Sequence, residues 1–176
     1  MKKTFVAVLL CGSLILNAQD RPPGYVDFGQ LPASESGGEH VEIALGGAMM
    51  GLAASVLKKP EPEAADLLKG LRSVRVHVVE MKDDNRKAVL ERIQAIRTEL
   101  DGKKWERIVS VKKKKEDVGI YLKTGAENII EGLVLTVVDG DKEAVLINIV
   151  GSIKPEQVAT LSDKLNLPAL KKFAAK

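Results

Sequence analysis

A chain of 176 residues with 45% hydrophobic and 29% charged side chains has the composition of one soluble globular domain, which excludes the disordered and fibrous classes. Its formal charge of +3 falls to +1 once Lys2 and Lys3 are set aside with the leader described next, so charge gives no reason to expect nucleic acid as a partner. The one cysteine, Cys11, lies in the same leader, and disulfides and thiol catalysis drop out of the remaining chain together.

Lys2 and Lys3 precede an apolar run from Phe5 to Leu16, which closes on Leu16-Asn17-Ala18. A basic start, a short apolar stretch and a small residue at the cleavage point form the pattern of a secretory signal peptide over residues 1–18. The run falls short of the roughly 20 apolar residues that a spanning helix needs. The expected location is therefore periplasmic or secreted, without membrane anchoring. A lipoprotein acylated at Cys11 is the alternative, but Leu10 stands where that processing wants a small side chain.

Residues 19–38 read as an arm and linker, in which Pro, Gly and Ser cluster around Tyr25 and Phe28. Aromatic bodies carry large buried area, so these two are expected to pin the arm to the core, with ligand recognition as the competing reading. A single α+β domain is expected over residues 39–176. In Glu39–Leu45, Val41, Ile43 and Leu45 alternate with His40 and Glu42, the pattern of a half-buried strand. Gly46–Leu57 is small or apolar throughout, and Gly47 and Gly51 make a GxxxG step. Close packing of this helix against a sheet is the first expectation, and an interfacial or partner-binding helix is the second.

A short helix is expected over Glu63–Leu71 and a strand over Ser73–Met81, where His77 stands as a tolerated strand residue with no neighbouring histidine or cysteine in the sequence. Asp83–Leu100 carries Val89, Ile93, Ile96 and Leu100 on one stripe, with Asp83 and Asp84 suited to the positive helix start and Asp101-Gly102 supplying the stop. Two strands, Trp105–Val111 and Val118–Lys123, flank KKKKED. That tip reads as a solvated turn that discourages edge pairing, with binding of phosphate or anionic lipid as the alternative. The next pair of strands is apolar on both faces apart from Thr136 and Asn148, and is expected at the centre of the sheet. Turning around Gly140-Asp141 sets Leu135 opposite Leu146 and Val134 opposite Ile147. A helix is expected after Lys154-Pro155-Glu156, with Val158, Leu161 and Leu165 inward, and a final short element over Pro168–Phe173.

The chemical inventory is thin. His40 and His77 are the only imidazoles, and no serine lies in a GxSxG turn. Asp139-Gly140-Asp141 lacks the later oxygen ligands of a calcium loop, and the glycines form neither a GxGxxG nor a P-loop pattern. No catalytic residue, cofactor or metal site is expected.

GYVDFG, LLKGLRSVRVHVVE and EAVLINIVGSIKPEQVATL together resemble the bacterial envelope proteins of domain of unknown function 4252, from about Gly24 to about Leu165. The resemblance implies an exported α+β domain, often a lipoprotein, without established activity or catalytic residues to carry over. It also hints at envelope signalling, while the cysteine of this leader fits lipidation badly.

The sequence thus leads to a largely antiparallel sheet with helices packed on it, roughly β-α-α-β-α-β-β-β-β-α. Its expected role is a non-enzymatic module acting through contacts with another envelope protein or a second copy of itself. Tyr25, Phe28, Gly47, Met50, Gly51, Lys112, Lys113 and Lys114 are the expected interaction surface. A binder of a small apolar ligand or lipid through Gly46–Leu57 is the alternative, and an unrecognised hydrolase the third reading.

Overall fold

The computed structural model describes residues 21–114 and 116–158. Alternating β-branched residues build six strands: β1 (His40–Gly46), β2 (Leu71–Glu80), β3 (Glu106–Lys113), β4 (Glu116–Thr124), β5 (Ile130–Asp139) and β6 (Glu143–Ile153). They form one sheet in the order β1-β2-β6-β5-β4-β3, with every neighbouring pair antiparallel. Helices α1 (Gly47–Leu57) and α2 (Pro62–Gly70) lie between β1 and β2 in the chain, and α3 (Arg86–Gly102) carries it from β2 to the far edge strand β3. This is the α+β architecture and element order expected, as far as a short 3-10 turn at Pro155–Gln157. The signal peptide expected over residues 1–18, Lys115, the helix expected past Val158 and the short element expected over Pro168–Phe173 lie outside the described residues.

Both faces of the central strands are covered. On one face α3 buries Val89, Ile93, Ile96 and Leu100 against Tyr121, Val134 and Leu146, and the arm adds Val26, Phe28 and Leu31 to the same cluster. On the other, Met50 of α1 and Leu67 of α2 join a cluster with Ile120, Leu133, Leu135, Ile149 and Ile153. Burial from both sides explains why β5 and β6 read as nearly continuous apolar runs.

The hairpin register differs from the sequence reading by one residue. Leu135 pairs with Ile147 and Val134 with Asn148, and three residues, Gly140 to Lys142, connect Asp139 to Glu143. The reason is polar. The observed register puts Thr136 and Asn148 on the same face, towards α3 and the arm, where Arg97 donates to Thr136 Oγ1 and the arm backbone meets Asn148. The expected register would have sent one of them into the other, apolar cluster without a partner, and an unmatched buried polar group costs about 1–3 kcal/mol.

The start of α3 also departs from expectation. Asn85 organises it: Oδ1 accepts the Lys82 N–H at 2.7 Å and Nδ2 donates to the carbonyls of Pro32 and Glu80 at 3.0 Å each. Asp84 turns away to the linker, accepting from Ser34 Oγ at 2.9 Å and from the Glu35 N–H at 2.8 Å. The acid therefore secures the linker and does not cap the helix.

The arm is part of the core. Gly24, with φ +85°, passes so close to Gly132 that a Cβ on Gly132 would stand 2.5 Å from the Gly24 Cα. Only glycine allows that crossing.

Candidate functional site

Two features of the β1 edge stand out, one on each face of the sheet. The first is α1, which follows β1 with no loop between them. Its sequence GAMMGLAASVL contains no charge, yet only Met50 and Ala54 are buried. Met49, Leu52 and Val56 are 54%, 60% and 71% exposed. On the neighbouring strand, Ile43 is 44% and Leu45 37% exposed, and their partners across the ladder are the half-buried Val76 and Val74. Val74 packs against the same cluster as Met50, so the strand residues and α1 share a face. Exposed apolar residues scattered singly need no explanation, but a run of five on adjoining elements does.

The GxxxG glycines belong to this surface. A Cβ on Gly51 would meet nothing within 4 Å, and one on Gly47 would find only the Arg72 carbonyl, at 3.6 Å. The helix packs on the sheet through Met50, as first expected, but that packing does not consume the two glycines. Met50, in contrast, is 4% exposed and lies inside the core rather than on any contact surface.

The other expected surface residues divide in the same way. Phe28 is fully buried, edge-on to His77 with ring centroids 5.4 Å apart and planes at 84°. Tyr25 is half-buried, with the Arg75 guanidinium 4.4 Å over its ring and Arg75 Nη1 donating to its Oη at 2.9 Å. Both aromatics pin the arm. Phe28 leaves the interaction surface because its whole side chain is spent on that packing. Lys112, Lys113 and Lys114 are exposed at the β3–β4 tip, far along the sheet order from α1, and Lys113 Nζ pairs with Glu116 at 2.9 Å.

The second feature lies on the opposite face, beneath the arm. Glu42 stands directly across the ladder from His77, and His40 two residues before it points to the same side. Donor atoms of His40, Glu42 and His77 all lie within 4.8 Å of one another, with Glu42 Oε1 3.6 Å from His77 Nε2. Among the described residues, this is the one grouping of three potential metal ligands. His77 is 3% exposed, and neither of its ring nitrogens has a hydrogen-bond partner. Burial pushes its pKa below the ordinary value, against the smaller opposing pull of the Glu42 carboxylate.

Sequence reading missed this group because it judged His77 by its neighbours along the chain. The signal was present in the alternation itself: His40 and Glu42 share the polar face of one strand, and His77 lies off the valine face of the next. Antiparallel pairing of the two strands was the missing step.

No curated protein and no solved structure matches the chain. The model of the family described as Domain of unknown function (DUF4252) matches residues 36–161, which takes in every strand and helix from β1 to β6. The chain therefore belongs to the DUF4252 family.

Proposed function

We propose that the protein is a non-enzymatic interaction module of the cell envelope, and that it meets its partner through α1 and the free edge of β1. The observation that carries this is the charge-free exposed helix running without a break from an edge strand whose own apolar residues are open on the same face. Fully burying a Val, Leu or Met side chain stabilises an association by about 1.5–3 kcal/mol, so Met49, Leu52 and Val56 supply a large share of an interface core.

A second copy of the chain is the partner this surface fits first. Antiparallel pairing of two β1 edges about a two-fold axis normal to the sheet keeps both copies of α1 on one face. Such an isologous contact satisfies the open backbone groups of β1 and brings the apolar residues of the two copies onto one continuous face. Gly47 and Gly51 leave the α1 backbone open to close approach by the partner.

The test is the molecular mass of the purified protein over a concentration series, beside a Leu52→Lys, Val56→Lys variant. We expect the parent to associate, with a melting temperature that rises with protein concentration, and the variant to stay monomeric with the parent's circular dichroism spectrum. A photoreactive residue placed at position 52 should crosslink in the living envelope, to the chain's own copy or to another protein. If the parent remains monomeric and no polypeptide is captured from position 52, the reading fails.

A further inference from the structure

We propose that His40, Glu42 and His77 form a binding site for a borderline divalent transition-metal cation, of which zinc is the representative. The site lies on the arm-covered face of the sheet, away from α1, and does not depend on the association proposed above.

Geometry comes first. The three donor atoms fall within 4.8 Å of one another, and the Glu42 to His77 distance is already 3.6 Å. Tetrahedral zinc with bonds of about 2.0–2.2 Å spaces its ligand atoms roughly 3.3–3.6 Å apart. His40 and Glu42 are both exposed, so small side-chain rotations close the remaining gap. The backbone presets the rest, because two side chains two apart on one strand face a third directly across the ladder.

The second observation is independent of the first. The His77 side chain is 4% exposed and aimed into the cluster with both nitrogens unbonded. Buried polar groups in folded proteins are nearly always matched, and a bound ion is one of the few things that accounts for an orphan.

The donor set selects the metal class. Two imidazoles and one carboxylate suit zinc, whereas magnesium and calcium take oxygen ligands. Three protein ligands leave a position for water or for a donor from another molecule. An open cleft of about 550 Å³ lined by Gln30, Leu31, Pro32, Ala33, His40 and Glu42 gives an ion access from solvent. Arg75, two residues before His77 on β2, is turned to the arm, where it donates to Tyr25 Oη and the Val26 carbonyl. His77 Nδ1 lacks the outer hydrogen bond that strengthens many zinc ligands, so binding is weaker than at a fully buttressed site.

Calorimetric titration of the purified full chain with Zn²⁺, and absorption spectra with Co²⁺, test the assignment. We expect one metal per chain and the visible bands of a four- or five-coordinate nitrogen and oxygen site. Absence of near-ultraviolet thiolate charge transfer separates it from binding at Cys11. His40→Ala and Glu42→Gln, both at exposed positions, should each weaken zinc binding by roughly tenfold or more while leaving the circular dichroism of the metal-free protein unchanged. Failure to saturate at one metal per chain, thiolate bands in the cobalt form, or variants that bind zinc as tightly as the parent would each overturn the proposal.

Discussion

The side chain of Asn148 and the backbone of Val26, 122 residues apart in the chain, are joined by a buried hydrogen bond: Asn148 Oδ1 accepts the Val26 N–H at 3.0 Å. Nδ2 of the same carboxamide donates to the Gly24 carbonyl at 2.9 Å, so one side chain matches the arm at two points. Asn148→Leu keeps the branching at Cγ but leaves both backbone groups orphaned, at about 1–3 kcal/mol each. We expect a matching loss in denaturant-derived stability. A loss below about 0.5 kcal/mol, the range of neutral surface changes, would mean that the arm is not held there.

Glycine crossings give a second, internally controlled comparison. Gly24 and Gly37 share a left-handed backbone, with φ of +85° and +83°, but a Cβ at Gly24 would press into Glu131 and Gly132 while one at Gly37 would meet nothing within 4 Å. Gly37→Ala should therefore cost only the conformational strain of about 1–2 kcal/mol. Gly24→Ala should cost clearly more, and equal melting temperatures for the two variants would count against the close crossing.

Phe28→Ala should be the most damaging change in the arm. The ring is fully buried, and such truncations typically cost about 3–5 kcal/mol. Because the loss falls on the contact between arm and sheet, limited proteolysis should also begin to cut within residues 29–38. Tyr25→Ala, at a half-buried position, should lose less stability than Phe28→Ala.

His77 makes stability depend on pH. Its pKa is lowered from 6.5, first by burial, with Arg75 and His40 adding to the fall and Glu42 and Asp27 opposing it. The unfolded chain therefore binds a proton more readily than the folded one, and stability is lost as pH falls below about 6.5, until the folded histidine is itself protonated. In metal-free protein, the decline in melting temperature between pH 7 and pH 5 should be shallower in His77→Leu than in the parent. An unchanged slope would place the pH sensitivity elsewhere.

Much of the fold was legible because single elements announce themselves. The α3 stripe from Val89 to Leu100 is buried in full, and the two-sided apolar character of β5 and β6 located the centre of the sheet. What failed to show needed knowledge of which strand meets which. A one-residue slip of the hairpin was invisible because apolar residues faced apolar residues in either register, and only the partners of Thr136 and Asn148, supplied by α3 and the arm, decide between them. The same limit hid the His40, Glu42 and His77 cluster. Acidic pairs misled for a different reason: Asp84 has the residue type and position of a helix-start acid, yet a competing set of donors in Ser34 to Ser36 takes its carboxylate.

The place of β6 between β2 and β5 has a consequence during synthesis. The strand that joins the two halves of the sheet is the last of the six to leave the ribosome. Until it does, β1 and β2 can pair with each other, and β3, β4 and β5 can form a meander, but each half carries a raw edge with its valines and isoleucines uncovered. Slow joining of distant strands is where nascent chains are most open to wrong partners. For this chain the exposed interval runs from the emergence of β2 to that of β6, and a holding chaperone would find its footing on Leu71–Glu80.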